Sequence, residues 1–213
     1  MFTGIIEEIG VIKSITTNSM GLDIVVEADL ILNDLKLGDS VAINGCCQTV
    51  TAISDKNFTV QAVYETVKLT NFKNLSVSDK VNLERAATLN TRLGGHLVAG
   101  HIDGIGQITS IKNVGNSTVF EIRAQKDIMK YLIYKGSVSV NGVSLTISDV
   151  AQNSFCVSVI PHTLKNTTFN NLKISDEVNL EPDMVAKYIE KLMLRDDNTG
   201  SKITFEFLKE NGF

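Results

Sequence analysis

The sequence predicts a mainly β protein in which two small tandem barrels are followed by one α-helix. Three observations lead to this prediction. They are a long internal repeat, an alternation of apolar and polar residues broken by frequent turn signals, and one amphipathic stretch near the end of the chain.

The internal repeat covers most of the chain. Residues 4–15 match residues 100–111 at an offset of 96, and residues 40–86 match residues 137–183 at an offset of 97, with 19 identical pairs in 47. A match of this length indicates the duplication of a whole domain, whereas solenoid repeats are shorter. We therefore expect two copies of one fold.

Each copy shows the period-two pattern of half-buried strands, at residues 22–28 in the first copy and at 119–124, 137–141 and 155–159 in the second. Asn-Gly pairs and other turn signals separate the strands. Because five or six short strands leave exposed edges unless the sheet closes, we predict a small closed barrel for each copy.

Helical spacing is limited to short stretches. Residues 28–35 and 126–134 have apolar residues three and four positions apart, so one short helix is expected in each copy. After Pro182, an amphipathic pattern predicts a longer helix with no counterpart after the first copy. Its apolar stripe predicts an oligomer or docking surface and consists of Val185, Tyr188, Ile189, Leu192 and Met193.

Composition excludes several classes of function. The chain has 213 residues, 43% of them apolar, and a formal charge of −4 without a long basic tract, which argues against nucleic acid as a partner. We expect neither a signal peptide nor a membrane span. Cys46, Cys47 and Cys156 lack CxxC spacing, which suits reduced cytoplasmic thiols.

Two common ligand motifs are also excluded. His96 and His101 lie five residues apart without acidic or thiol partners at metal-ligand spacing, so no metal site is expected. The glycines between 94 and 106 do not match GxGxxG, which argues against a dinucleotide cradle.

Candidate chemistry comes from polar differences between the copies, because a duplicated barrel keeps its core residues alike for packing reasons. The differing pairs are Ile5 and His101, Cys47 and Ser144, Glu65 and His162, Ala86 and Asp183, and Gly38 and Lys135. Each also has an ordinary structural interpretation: a thiol can be a small buried apolar group, and Asp183 can cap the tail helix. Spacing alone therefore predicts a duplicated barrel with a polar cluster.

Four separated motifs resemble those of riboflavin synthases of the α-chain type. They are Met-Phe-Thr-Gly-Ile-Ile at 1–6, Asn-Gly-Cys-Cys-Gln-Thr-Val at 44–50, Gly-His-Leu-Val-Ala-Gly-His-Ile at 95–102 and Gly-Val-Ser-Leu-Thr at 142–146. The resemblance extends over nearly the whole chain, the helix after the second copy included.

The resemblance implies two six-stranded Greek-key barrels, at residues 1–96 and 97–183, and a tail at 184–213 through which three chains associate. The implied reaction converts two molecules of 6,7-dimethyl-8-ribityllumazine into riboflavin and 5-amino-6-ribitylaminouracil by transfer of a four-carbon unit, without a metal or redox cofactor. In such a homotrimer the first barrel of one chain faces the second barrel of a neighbour. A cytoplasmic location and lumazine synthase as a further partner also follow from the resemblance.

The resemblance also implies residue roles. His101, with Ser144 and Thr146, is expected to help remove a proton from the 7-methyl group of one lumazine, as suits the near-neutral pKa of histidine. The full catalytic set is His101, Ser144, Thr146, Cys47, Ser40, His96 and Asp183. The expected substrate-binding set is Gly4, Ile5, Ile6, Cys47, Gln48, Thr49, Gln61, Ala62, Val63, Tyr64, Glu65, Thr66, Gly100, His101, Ile102, Lys135, Asn141, Ser144, Leu145, Thr146, Ser158, Val159, Ile160, Pro161, His162 and Thr163.

Three other functions are conceivable for a barrel protein of this kind. A non-catalytic lumazine- or flavin-binding protein of the same fold is the principal alternative. A flavin-reductase barrel would carry an Arg-x-Tyr-Ser/Thr motif, which the sequence lacks. A purely structural protein would leave the polar residues of both copies without a role.

Overall fold

The computed structural model describes residues 1–193 and 205–211. Its twelve strands are β1 Glu8–Asn18, β2 Gly21–Glu27, β3 Ser40–Ile43, β4 Cys46–Ile53, β5 Asn57–Val63, β6 Lys80–Arg85, β7 Gly104–Val114, β8 Ser117–Arg123, β9 Ser137–Val140, β10 Val143–Val150, β11 Ser154–Val159 and β12 Glu177–Pro182. The described helices are α1 Tyr64–Leu69, α2 Lys126–Met129, α3 Pro161–Asn166, α4 Met184–Met193 and α5 Phe205–Glu210.

The strands form two closed antiparallel barrels with the same strand order. The first runs β1-β2-β5-β4-β3-β6 around the barrel, and the second runs β7-β8-β11-β10-β9-β12. Even the bulges repeat: β1 shifts register between Ile12 and Ser14, and β7 shifts between Ile108 and Ser110. The predicted pair of six-stranded barrels followed by a C-terminal helix is therefore confirmed.

The helices inside each copy differ from the prediction. The stretch at 28–35 contains only one 3-10 turn, Ile31–Asn33, and the stretch at 126–134 contains only the four-residue α2. Helices α1 and α3, which follow the fifth strand of each barrel, were not predicted. Their six-residue length is too short for a helical period to show, although Pro161 at the start of α3 is a helix-initiation signal.

The barrels contact each other through the two Asn-Gly turns that precede β4 and β10. Positive φ angles of 45° and 79° at Asn44 and Gly45, and of 46° and 82° at Asn141 and Gly142, are those of type I′ turns. A Cβ on Gly45 would lie 2.6 Å from the backbone nitrogen of Gly142, and one on Gly142 would lie 2.7 Å from that of Gly45. The turns therefore pack back to back with approximate two-fold symmetry, and neither glycine has room for a side chain.

Buried asparagines continue this symmetric contact. The Asn82 side-chain amide donates to the backbone carbonyl of Asn141, and that of Asn179 donates to the carbonyl of Asn44, both at 2.9 Å. Because Asn82 and Asn179 are completely buried, these hydrogen bonds fix the barrels to each other instead of competing with water.

Two short segments run between the barrels. We name residues 2–6, which precede the first barrel, leader 1, and residues 98–102, which precede the second, leader 2. The leaders pair with each other: the Phe2 N–H donates to the Val98 carbonyl at 2.7 Å, and the Val98 N–H donates to the Phe2 carbonyl at 3.1 Å. Both side chains are buried, so the start of the chain is held against the linker between the barrels.

The chain divides into two compact units, Met1–Asp183 and Met184–Phe213. The second contains α4, whose predicted apolar residues are all at least half exposed. Residues 194–204, in the expected oligomerisation tail, and residues 212–213 lie outside the described part. No helix within the described ranges is long and apolar enough to span a bilayer.

Candidate functional site

Leader 1 ends against the second barrel. The Ser144 N–H on β10 donates to the Gly4 carbonyl at 2.8 Å, and Ile6 packs against the hydrophobic core of the second barrel. Gly4 has a φ of +74°, and a Cβ there would lie 2.5 Å from the Ser144 Cβ. Only glycine therefore lets the leader approach β10 this closely.

Leader 2 ends against the first barrel in the same way. The Cys47 N–H on β4 donates to the Gly100 carbonyl at 2.8 Å, and Ile102 packs against the first core. Gly100 has a φ of +82°, and a Cβ there would lie 2.6 Å from the Cys47 Cβ. The two leaders are thus exchanged, and each barrel takes its leader from the other repeat.

This exchange changes the expected grouping of His101. The family resemblance implied that it acts with Ser144 and Thr146. The structure instead brings the backbone beside it, at Gly100, onto Cys47 of the first barrel. His101 is an exposed residue on that leader, so the geometry groups it with the first-barrel strand β4.

Ser144 has a different histidine partner. Nδ1 of His96 lies 2.7 Å from Oγ of Ser144, and His96 is only 9% exposed. Burial lowers the pKa of His96, while the charge of the Asp183 carboxylate acts in the opposite direction. His96, Ser144 and Asp183, which were predicted as separate candidates, therefore form one group at the second barrel, in which burial favours the neutral imidazole.

The first barrel contains a cavity of about 430 Å³ beside β4 and β5. Its lining includes seven of the predicted binding residues, namely Cys47, Gln48, Thr49, Gln61, Ala62, Val63 and Thr66. Tyr64 and Glu65 follow on α1 and are exposed. A cavity of this size is in the range that binds small molecules.

The two adjacent cysteines of β4 differ in their surroundings. Cys46 is buried, and desolvation raises the pKa of its thiol to about 12. The Gln48 side-chain amide donates to Cys46 Sγ at 3.3 Å and to the Cys47 carbonyl at 2.7 Å. Cys47 is partly exposed and lines the cavity, so it is the thiol that a ligand can reach.

Ser40 and Lys135 lie at other positions. Ser40 on β3 is the register partner of Thr49, but it lines a separate cavity of about 650 Å³ together with Ile5. Lys135 has a φ of +63°, where the first copy has Gly38 with a φ of +86°. A lysine in this left-handed conformation carries backbone strain, which proteins retain most often at functional positions.

The predicted second-barrel residues on β10 and β11, together with Ile160 directly after β11, alternate between core and surface. Leu145 and Val159 are buried in the core, whereas Thr146, Ser158 and Ile160 are exposed. The Ser158 hydroxyl bonds to the Ser117 hydroxyl at 2.8 Å. The remaining candidates lie on α3, which carries Pro161, His162 and Thr163.

Asn141 lies apart from these groups. It is 3% exposed, and its Oδ1 accepts from the Asn179 backbone at 2.8 Å and from the Asn71 side chain at 3.3 Å. Its carbonyl accepts from Asn82. Asn71 and Asn82 belong to the first barrel, so two of these three hydrogen bonds join the barrels and the third lies within the second barrel. The expected substrate-orienting role of Asn141 stays a prediction.

Two glutamates that anchor the leaders were missed. Glu84 accepts three hydrogen bonds from leader 1, and Glu181 accepts two from leader 2. They occupy matching positions in the repeat. The identity of the two glutamates is visible in the sequence, but it does not show that their carboxylates bind the leaders, because those contacts join residues about 80 positions apart.

Comparison with known proteins gives the same two repeats. A profile of the lumazine binding domain matches residues 3–86 and 99–183. Full-length similarity, covering all of both chains, extends to the riboflavin synthases of Actinobacillus pleuropneumoniae, at 45% identity, and of Bacillus subtilis, at 42%. The riboflavin synthase of Schizosaccharomyces pombe is 40% identical over 91% of this chain and 94% of its own.

Solved structures of LumP are also similar. LumP complexed with 6,7-dimethyl-8-(1'-D-ribityl) lumazine has a TM-score of 0.78 at 25% identity, and LumP complexed with riboflavin has a TM-score of 0.80 at 26%. Each match covers 85% of this chain and 99% of LumP.

Proposed function

The chain belongs to the riboflavin synthase family of lumazine-binding proteins, and we propose that it transfers a four-carbon unit between two molecules of 6,7-dimethyl-8-ribityllumazine. The products are riboflavin and 5-amino-6-ribitylaminouracil, and the enzyme is a transferase. The observation that carries the proposal is the pair of matched leader–strand contacts, Gly4 with Ser144 and Gly100 with Cys47. They give one chain two related binding sites for one kind of ring.

The second barrel provides the proton acceptor. The 7-methyl group of the lumazine is acidic, because the resulting anion is delocalised over the ring. A neutral imidazole can take this proton, and burial favours the neutral form of His96 by lowering its pKa. The hydroxyl of Ser144, 2.7 Å from Nδ1, joins this imidazole to the strand that holds the ring. Thr146 and residues 158–163 complete the pocket in this proposal.

The first barrel provides the site for the second lumazine, which accepts the four carbons. Cys47, residues 61–63 and Thr66 border the cavity of about 430 Å³, and leader 2 brings His101 to strand β4, which carries Cys47. We assign Cys47, His101 and Ser40 to assisting addition at C7 of this lumazine, and Lys135 to orienting substrate. Holding the two rings together lowers the barrier by about 7–11 kcal/mol at best.

The reaction requires two pockets to face each other. We propose a homotrimer in which the first barrel of one protomer faces the second barrel of its neighbour, a heterologous contact that closes a ring. The exposed apolar side chains of α4, such as Tyr188 and Leu192, support association through residues 184–213. The three cysteines are free, which is compatible with the proposed cytoplasmic location. Lumazine synthase, as the supplier of the substrate, is a proposed further partner.

Incubation with 6,7-dimethyl-8-ribityllumazine tests the function directly. Chromatography should show one riboflavin and one 5-amino-6-ribitylaminouracil for every two lumazines consumed. A Ser144→Ala protein prepared in parallel controls for contaminating activity. The similarity to LumP suggests a passive binding protein as the alternative. Such a protein would shift the fluorescence of lumazine without consuming it, and that result would overturn the proposal.

A further inference from the structure

Glu84 holds leader 1 at the point where it crosses to the second barrel. One carboxylate oxygen of Glu84 accepts the backbone N–H of Thr3 at 2.6 Å and the Thr3 hydroxyl at 2.7 Å. The other oxygen accepts the Gly4 N–H at 3.0 Å. The Gly4 carbonyl, on the far side of the same residue, accepts from Ser144. Glu84 on the first barrel is thus connected through a single residue, Gly4, to strand β10 of the second-barrel pocket.

Glu181 does the same for leader 2. Its two carboxylate oxygens accept the N–H groups of Ala99, at 2.6 Å, and Gly100, at 3.0 Å. The Gly100 carbonyl then accepts from Cys47 on the first barrel. Leader 2 has Ala99 where leader 1 has Thr3, so this position of leader 2 offers Glu181 a backbone N–H but no hydroxyl.

From this crossing we propose that Glu84 is a positioning residue for the second-barrel pocket and that Glu181 is a positioning residue for the first. Each carboxylate lies on the last strand of its own barrel and acts on the opposite pocket through the leader. Both are almost completely buried, at 4% and 2% exposure. Neither needs to contact substrate for this role.

The carboxylate form is what this arrangement requires. A carboxylate only accepts hydrogen bonds, so both of its oxygens can face N–H groups. A glutamine has the same shape, but it presents an NH₂ donor to one of them. Glu84→Gln should therefore displace Gly4 while leaving the barrel strands paired, and displacement of a positioning contact by about 1 Å can cost on the order of 100-fold in rate.

The inference rests on the proposed function, in which the second pocket removes the 7-methyl proton and the first pocket accepts the four-carbon unit. Two measurements on the full-length protein separate these pockets. Turnover requires both. Exchange of the 7-methyl protons in D₂O, followed by proton NMR and corrected for the rate without protein, requires only the pocket that contains the base.

Glu84→Gln should lower both exchange and turnover by on the order of 100-fold. Glu181→Gln should lower turnover by a similar factor and leave exchange unchanged. Glu8→Gln is the matched control, because the Glu8 carboxylate also accepts two backbone N–H groups of its own barrel, from Asp29 at 2.6 Å and Ile31 at 3.1 Å, without contacting a leader. It should change neither rate.

A second pair of variants covers the case in which Glu84→Gln does not fold. Thr3→Val removes the hydroxyl that donates to Glu84 and accepts the Ile5 N–H at 3.3 Å, both of them contacts of leader 1, whereas Thr3→Ser retains that hydroxyl. Exchange should therefore fall in the first and persist in the second. Equal exchange losses in Glu84→Gln and Glu181→Gln, or a loss confined to Glu181→Gln, would overturn the crossed assignment. If the unmodified protein forms no riboflavin from the lumazine, the proposed function itself would be overturned instead.

Discussion

Nδ1 of His96 and Oγ of Ser144 lie 2.7 Å apart, although 48 residues separate them in the chain. This contact joins the linker between the barrels to strand β10. Ser144 also donates its backbone N–H to Gly4 of leader 1. The side chain and the backbone of one residue therefore connect a buried imidazole to the leader, and this relation leads to the first two predictions.

Replacing Ser144 by alanine should slow the chemical step more than it weakens binding. The substitution removes the hydroxyl that orients His96, but it keeps the backbone contact with Gly4. We expect the single-turnover rate to fall on the order of 100-fold, as for loss of acid–base catalysis, with little change in the equilibrium dissociation constant of lumazine measured by fluorescence. Ser154→Ala, which also removes a hydroxyl contact, to Glu121 at 2.9 Å, is the control. A dissociation constant that rises as much as the rate falls would contradict a role in the chemical step.

Asp183 should set the acidic limit of activity. Burial lowers the pKa of His96, and the Asp183 charge raises it by favouring the imidazolium. Because a neutral imidazole is needed to accept the proton, turnover should fall as the pH drops through the pKa of His96. Asp183→Asn removes the negative charge and lowers this pKa further, so the acid limb of the pH–rate profile should move to lower pH.

The control for this variant is Asp55→Asn, an exposed aspartate in the turn between β4 and β5, which should leave the acid limb in place. An acid limb that stays fixed in Asp183→Asn, or that moves to higher pH, would contradict the assignment of this titration to His96.

Gly142→Ala should destabilise the pair of barrels more than an alanine in a free turn does. At Gly142 the new Cβ would lie 2.7 Å from the Gly45 nitrogen, in addition to the strain of a φ of +82°. At Gly115 the φ is +57° and nothing lies within 4 Å, so Gly115→Ala measures backbone strain alone, about 1–2 kcal/mol. Urea denaturation should give a larger loss for Gly142→Ala. Equal losses in the two variants would show that the turns can separate without cost.

Asn82→Ala should lower the free energy of unfolding by more than the replacement of a surface asparagine does. Its side-chain oxygen accepts the Thr168 N–H at 2.7 Å, and its amide donates to the Asn141 carbonyl at 2.9 Å. Both partners would be left buried without a hydrogen bond, at about 1–3 kcal/mol each. Asn74→Ala, which removes an exposed hydrogen bond to Glu177, is the control. Its free energy of unfolding in urea denaturation should lie within about 0.5 kcal/mol of that of the unmodified protein.

The barrels could be predicted from the sequence because the patterns that indicate strands and turns are local. Alternation along β2 and β8 and the turns at Asn44 and Asn141 are visible in any short window. Exchange of the leaders is not visible in this way. The repeat shows that Gly4 corresponds to Gly100, but correspondence does not say which barrel each leader packs against, because that depends on contacts between residues more than 50 positions apart.

The same limit explains the role first expected for Asn141. An asparagine in an Asn-Gly turn has the same local pattern whether its side chain faces a ligand or another barrel. Only the match between Asn141 and Asn44, together with that between Asn179 and Asn82, pointed to a symmetric contact. Identical buried polar residues in two copies thus deserve as much weight as differences between them.

Removal of residues 184–213 should convert the proposed trimer into a monomer. Helix α4 has apolar residues at least half exposed along its length, Tyr188 at 63% and Leu192 at 64% among them. Burial of such side chains between chains supplies about 25 cal/mol for each Å² removed from water. Sedimentation velocity should therefore show a lower mass for the truncated chain. Turnover should fall with it, because the proposed site needs pockets from two protomers.

A point substitution separates loss of the interface from other effects of truncation. Ile189→Asp places a charge on the apolar side of α4 and should reproduce both the lower mass and the lower turnover. Lys191→Gln changes an exposed polar residue of the same helix and should do neither. A truncated chain that keeps the mass of the full-length assembly would exclude α4 as the association element, and a monomer with full turnover would exclude the shared site.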